Sequence, residues 1–224
     1  MKTEIHTLLL GFTNCYLIKE EGLILVDAGG PKKGRKFLRE TERLGISPED
    51  ISLILLTHGH WDHAGSLREL KELTGAPVAV NYREKDWVEQ GIKAVPPAFG
   101  PRRHFHRAIA LAWTSIIRFH ATPVDISMGD EEFSLEPFGI RGRVLHTPGH
   151  SLGSMSLLLD TGDAFVGDLA MTGHPRRHVP GVPMYAEDRG AVKDSWRLLL
   201  ESGAEWIRPA HGRSFRAEVL NRLL

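Results

Sequence analysis

One stretch limits the folds open to this chain more than any other. The apolar run Ile51-Ser52-Leu53-Ile54-Leu55-Leu56 is followed at once by Thr57-His58-Gly59-His60-Trp61-Asp62-His63. The run is short, rich in branched residues and closed by a glycine-containing segment, the pattern of a buried parallel strand. Three histidines and an aspartate then fall within six residues. They sit on a loop at the strand's carboxyl end, where open α/β sheets place their sites. Imidazole and carboxylate donors suit zinc, with iron and manganese as near competitors. The two histidines of His58-x-His60 can share one ion, and Asp62-His63 can hold a second nearby. One loop cannot fill two coordination spheres, so the fold must bring other donors to the same strand edge.

Four further β-prone runs end in such donors. Residues 23–26 lead into Asp27-Ala28-Gly29-Gly30, and 141–145 into His146-Thr147-Pro148-Gly149-His150. Residues 164–166 lead into Gly167-Asp168, and 206–207 into Pro209-Ala210-His211-Gly212. Singly, each donor is an ordinary turn or surface residue. Together they reach the number that a two-ion hydrolytic site requires: a bridging carboxylate and roughly six terminal ligands around ions about 3.5–4 Å apart.

The rest of the pattern supplies a frame. Runs at 5–10, 15–19 and 23–26 read as an antiparallel start, and 33–44, 66–74 and 83–89 as helices around a strand at 77–80. In the second half, Met128-Gly129-Asp130 reads as a turn and 133–135 as a strand. Residues 155–159 and 164–166 form a hairpin across Asp160-Thr161-Gly162-Asp163. Residues 190–200 read as a helix and 215–224 as a closing one. Two strand-rich halves with helices outside imply an α+β fold, two sheets face to face between helical layers, in a single domain over 1–224. Residues 91–123 break this rhythm. Val95-Pro96-Pro97-Ala98-Phe99-Gly100-Pro101 cannot be regular structure. It runs into a basic cluster at 102–107 and an apolar helix at 108–119, expected as a lid insertion, or else as a core or homodimer contact.

Charge and cysteine usage narrow the partners. Lys plus Arg and Asp plus Glu both total 28, so no overall field draws the chain to nucleic acid. A single cysteine, Cys15, excludes an intrachain disulfide and fits a reducing, cytoplasmic setting. The N-terminal residues lack a signal-peptide pattern. No apolar run reaches the roughly eighteen residues of a transmembrane helix. Gly153-Ser154 lacks the Gly-x-Ser-x-Gly setting of a serine nucleophile.

As a set, His58-x-His60-x-Asp62-His63, His150 in Thr-Pro-Gly-His, Asp168 in Val-Gly-Asp, His211 in Pro-Ala-His-Gly and the early Asp27 resemble the metallo-β-lactamase-fold hydrolase superfamily. The resemblance spans nearly the whole chain apart from 91–123. It implies a four-layer αββα sandwich. It also implies that His58, His60 and His150 hold one ion, that Asp62, His63 and His211 hold the other, and that Asp168 bridges them. Asp27 becomes the acceptor that orients the ligand loop, a role that imidazole N–H groups independently require. His146, a rival ligand on spacing alone, falls outside the family pattern.

The chemistry implied is a binuclear hydrolase that cleaves an ester, thioester, lactone or phosphoester with a metal-bridging hydroxide, Asp62 shuttling the proton. The cofactors implied are two divalent metal ions, zinc first, with manganese or iron as substitutes. A mononuclear iron persulfide dioxygenase shares much of this ligand set and stands as the alternative; a non-catalytic metal-binding regulator is a weaker one. Subfamily markers argue mostly by absence. Met171 stands where the best-known lactonases carry a tyrosine, with Tyr185 available from elsewhere, and Asp168 argues against antibiotic hydrolysis. Arg176, Arg177 and His178 follow the Asp168 loop. With Tyr185 they are expected to bind a small-molecule substrate that has an apolar part and an anionic end.

Overall fold

Strands β1 (Glu4–Leu9), β2 (Asn14–Lys19) and β3 (Leu23–Val26) form an antiparallel meander, each joined to the next by a short turn. Strands β4 (Leu53–Leu55), β5 (Val78–Asn81) and β6 (Ile126–Met128) then extend the sheet in parallel. Parallel pairing requires crossovers, and helices supply them. Helix α1 (Gly34–Leu44) precedes β4, α2 (Trp61–Ala64) and α3 (Leu67–Thr74) precede β5, and α4 (Tyr82–Gln90) follows it. The second sheet runs β12-β11-β10-β9-β8-β7. It comprises β7 (Phe133–Ser134), β8 (Gly142–His146), β9 (Met155–Leu159), β10 (Asp163–Gly167), β11 (Trp206–Pro209) and β12 (Phe215–Arg216). Only β10 and β11 pair in parallel, and the connection between them carries α5 (Arg189–Glu201). Asp188 caps that helix by accepting the N–H groups of Gly190 and Ala191. The computed structural model describes residues 2–92, 104, 108–109, 111–112, 119–172, 180–183 and 185–224.

Strand alternation sorts the apolar residues into three cores. In β3, Leu23 and Leu25 face α1 and α3, while Ile24 and Val26 face the other sheet. In β9, Met155, Leu157 and Leu159 meet them from across, and Leu158 turns outward toward Trp196 of α5. Each such fully buried side chain contributes about 1.5–3 kcal/mol by leaving water. Both faces of both sheets are therefore buried, giving the expected α+β sandwich of four layers, αββα. Among the described residues no helix is long and apolar enough to cross a membrane.

Three local expectations differ. The turn expected at 128–130 begins only after strand β6, whose three residues are too few to show periodicity. The closing helix expected over 215–224 is shortened to α6 (Glu218–Asn221). Phe215 and Arg216 instead pair with Ile207 and Trp206, because the open edge of β11 outcompetes local helix propensity. The loop expected at 57–63 includes one helical turn, α2. Of the lid expected over 91–123, residues 93–103, 105–107, 110 and 113–118 lie outside those described.

This topology sets where donors meet. Strands β3 and β4 point the same way, and so do β8, β10 and β11, since β8 and β10 are both antiparallel to β9. At their carboxyl ends the sheets are joined by hydrogen bonds from Met155 N to Thr57 O and from Asn14 N to Ala210 O, both 2.8 Å. The Tyr16 hydroxyl donates to Pro209 O at 2.7 Å beside them.

Candidate metal centre

Asp27 leaves β3 with a left-handed backbone, φ 61°, which aspartate tolerates better than most residues. Its buried carboxylate accepts the Thr57 N–H at 2.8 Å, the Thr57 hydroxyl at 2.9 Å and the His63 Nδ1–H at 2.8 Å. The one hydroxyl proton of Thr57 goes to Asp27, so its oxygen is left to accept Nδ1–H of His58 at 3.1 Å. Helix α2 closes with the N–H groups of His63 and Ala64 on His60 O. That turn sets Asp62 and His63 side by side, and Thr13 holds the Asp62 carbonyl from the β1–β2 loop at 2.8 Å. Gly167 precedes Asp168 with φ +52°, and a Cβ there would lie 2.5 Å from Thr57 Oγ1. Glycine therefore lets the Asp168 loop close directly onto the Thr57-His58 loop.

Nδ1 of His150 donates to the Tyr185 carbonyl at 2.8 Å, and Nδ1 of His211 to the Phe12 carbonyl at 3.2 Å. With His58 and His63, four rings thus have Nδ1 tied outward, and a neutral ring so tied presents its Nε2 lone pair inward. Nε2 of His150 lies 3.0 Å from Nδ1 of His60. Asp168 sits between the two halves: Oδ2 is 3.7 Å from His150 Nε2, and Oδ1 is 3.3 Å from His63 Nε2 and 3.2 Å from His211 Nε2. Asp62 Oδ2 is 3.3 Å from His211 Nε2 and 3.9 Å from His63 Nε2. Three overlapping sets result: His58, His60 and His150; His58, His63 and Asp168; Asp62, His63 and His211. Within each set the donor atoms lie within 4.8 Å of one another.

The cluster is unsatisfied as protein alone. Among the described residues six buried side-chain polar atoms make no hydrogen bond, and four belong here: Nε2 of His58, His60 and His63, and Oδ1 of Asp168. A buried polar atom without a partner costs about 1–3 kcal/mol, so four in one place call for a ligand. Nitrogen and carboxylate donors without sulfur fit a divalent cation such as zinc, manganese or iron.

Electrostatics divide the cluster in the absence of a cation. Burial, with neighbouring imidazoles adding to it, holds His58 well below the usual histidine range and His60 down to about 3. Burial lowers His150 too. Burial also presses on His63, but Asp27, Asp168 and Asp62 outweigh it and raise that ring well above its ordinary value. His211 goes up to about 9, since Asp168 and Asp62 overcome the effect of burial. In turn, the two imidazoles keep Asp62 and Asp168 below the carboxylate range despite their burial. A cation entering such a site must displace protons from His63 and His211.

All seven expected ligands and Asp27 are brought together. His146 stays apart, its Nε2 2.8 Å from Leu152 O and its Nδ1 3.5 Å from Asp130. Tyr185 reaches the cluster through its backbone carbonyl. Arg176, Arg177 and His178 lie outside the described residues. Sequence reasoning missed Thr57, although it adjoins the motif, and it missed Glu84, which no ligand spacing marks. It also missed the aromatic surround. Phe12 is 59% exposed; it stacks on His211 at 5.7 Å and meets Trp61 edge-on at 5.6 Å. Trp87 lies parallel to His60 at 5.8 Å.

A family model described as the metallo-beta-lactamase superfamily matches residues 8–211. The probable metallo-hydrolase YflN of Bacillus subtilis (strain 168) is 30% identical over 245 aligned residues, covering 98% of this chain and 90% of that protein. The hydroxyacylglutathione hydrolase GloC of Haemophilus influenzae is 25% identical over 172 residues, covering 73% of this chain and 72% of that one. Among solved structures, the BLEG-1 B3 metallo-beta-lactamase superposes with a TM-score of 0.71 at 22% identity, covering 96% and 95% of the two chains. TTHA1623 in a di-iron-bound form superposes with a TM-score of 0.66 at 26% identity, covering 94% of this chain and 92% of that one.

Proposed function

The chain belongs to the metallo-beta-lactamase superfamily, and from that footing we propose that it is a binuclear metal-dependent hydrolase of a small ester, thioester, lactone or phosphoester. In this reading His58, His60 and His150 would hold one divalent ion and Asp62, His63 and His211 the other, with Asp168 shared between the two sets. The observation that carries it is the group of four buried polar atoms that make no hydrogen bond where five strand ends meet. Zinc is the first expectation. Manganese and iron suit the same donors, and the di-iron form of the structural relative TTHA1623 favours keeping iron in view.

Ions so held would supply Lewis acidity, polarising a carbonyl or phosphoryl oxygen and lowering the pKa of bound water toward neutrality. The chain's own residues do the rest. Asp27 and Thr57 fix the tautomers of His63 and His58, so no reorientation is needed when a substrate arrives. The side chain of Asp62 is 15% exposed against 7% for Asp168, which makes it the carboxylate open to solvent. Its carboxylate would take up a proton from the attacking water and return it to the leaving group. Phe12 and Trp61 offer an apolar surface beside His211. We assign the anionic end of the substrate to Arg176, Arg177 and His178, with Tyr185 beside the His150 ring.

Elemental analysis of the purified protein tests this, together with turnover of a thioester, a lactone, bis-p-nitrophenyl phosphate and glutathione persulfide. Two equivalents of zinc or manganese with hydrolysis of one of the first three is the expected result. One iron per chain with oxygen uptake on the persulfide would replace the reading with that of a dioxygenase.

A further inference from the structure

We propose that Glu84 is a positioning residue that clamps the loop of His58 and His60 to the loop of His150, so that these three rings converge on one cation. The proposal rests on the metal reading above. Glu84 stands in the first turn of α4, three residues after Asn81, whose side chain caps the helix by accepting the Arg83 N–H at 3.0 Å. A glutamate at that position commonly turns back to the N–H of the capping residue. Glu84 turns away from it. Its Oε2 accepts the Gly59 N–H at 2.8 Å, and its Oε1 accepts the Ser151 hydroxyl and, at 3.2 Å, the Gly153 N–H.

These partners are the residue between His58 and His60, the residue after His150, and Gly153 two positions further on. The contacts reach 25 residues back and 67 to 69 residues forward, tying the first sheet's ligand loop to the second sheet's. Both glycines are shaped around the carboxylate. A Cβ on Gly59 would lie 3.1 Å from Glu84 Oε2, and one on Gly153 would lie 2.3 Å from Glu84 Cγ. Ser154 completes the network, its hydroxyl accepting the Ser151 N–H at 3.1 Å and meeting Ser151 Oγ at 2.7 Å.

The energetics argue against simple packing. Glu84 is 1% exposed, and among the described residues no ion pair is formed with it. A buried carboxylate neutralised only by hydrogen bonds is expensive compared with an apolar side chain of the same size. Its carboxylate has two oxygens that both accept, and the donors arrive from two loops that need a fixed separation. Where the loops meet, His60 Nδ1 and His150 Nε2 are held at 3.0 Å.

Glu84→Gln keeps the shape but has one accepting oxygen, so it must turn an NH2 toward either the Gly59 or the Gly153 N–H. The variant is made in a His211→Ala background, which isolates the three-histidine set, and in a His150→Ala background, which isolates the other. Zinc affinity is read by chelator competition and cobalt(II) binding by its absorption spectrum. The expected result is a 10–100-fold loss with an altered cobalt spectrum in the first background, and a change within about twofold in the second. In the metal-free protein, amide exchange should rise at whichever of Gly59 and Gly153 faces the new NH2, while Ala28, whose N–H bonds to His63 O, stays protected. Equal losses in both backgrounds, or unchanged exchange at the two glycines, would overturn the clamp. Failure of the two-ion reading shows separately, as an unsubstituted protein that takes up fewer than two ions, with the exchange experiment still reporting on Glu84.

Discussion

Nδ1 of His63 lies 2.8 Å from Oδ2 of Asp27, and both side chains are closed to solvent. The same carboxylate holds Thr57, and through Thr57 it fixes His58. One buried aspartate at the end of β3 thus orients a ring in each half of the cluster. Removing it leaves a buried imidazole and a buried N–H without partners. Asp27→Ala is therefore expected to destabilise the metal-free fold by about 3–5 kcal/mol, as for a broken buried pair. Asp27→Asn, which keeps an acceptor but loses the charge, should fold and bind zinc 10–100-fold more weakly. Denaturant melts and chelator competition measure the two effects.

The opposite pKa shifts predict a stability maximum. His60 is pushed down to about 3, chiefly by burial. Between that value and the unfolded histidine value of about 6.5, the unfolded chain binds the extra proton, so stability falls as pH drops. His211 is raised to about 9, Asp168 and Asp62 outweighing burial. Its stabilisation is complete below about 6.5 and is lost as pH rises through about 9. Urea midpoints of the metal-free protein should therefore peak near pH 6.5. With zinc bound, the protons are already displaced, and the midpoint should go on rising above that pH. A monotonic metal-free profile would contradict these assignments.

Asp168 is the carboxylate that touches both halves, with His150 on one oxygen and His63 and His211 on the other. On the two-ion proposal, Asp168→Asn should weaken uptake of both ions, whereas His150→Ala should chiefly weaken one. Turnover by the aspartate variant should fall by about 10²-fold or more, the scale of losing one preorganised electrostatic group. Metal stoichiometry by elemental analysis beside steady-state kinetics measures both quantities.

Gly167→Ala tests the contact between the two ligand loops. The new Cβ meets Thr57 Oγ1 at 2.5 Å on a backbone with φ +52°. Strain of about 1–3 kcal/mol is expected, seen as a Tm lower by roughly 2–4 °C per kcal/mol for a chain of this size. Because Thr57 also orients His58, zinc affinity should fall with it. Gly181→Ala, which meets nothing within 4 Å among the described residues, is the control and should leave both unchanged.

Much of the architecture was legible because strand alternation is a local property. The two faces of β3 and β9 follow from the sequence period alone, and so does the division into cores on either side of each sheet. Strands β6 and β12 were not legible. Each has three residues or fewer and exists because a neighbouring strand offers an edge. The helical turn at Trp61–Ala64 was hidden for a similar reason, since it depends on His60 O being free to accept two N–H groups.

By itself the sequence determined which donors exist and that each ends a β-run: Asp27, the residues from His58 to His63, His150, Asp168 and His211. It did so because ligand chemistry and strand period are written in adjacent residues. Only the tertiary structure decided how those donors are held. Thr57 as an acceptor, Gly167 against Thr57, and Glu84 between Gly59 and Ser151 all depend on two sheets meeting at their carboxyl ends. Those contacts join residues from 25 to 110 positions apart, apart from the neighbouring pair Thr57 and His58. A buried hydrogen-bond network of that kind is defined by distance and direction in space, which no spacing along the chain records.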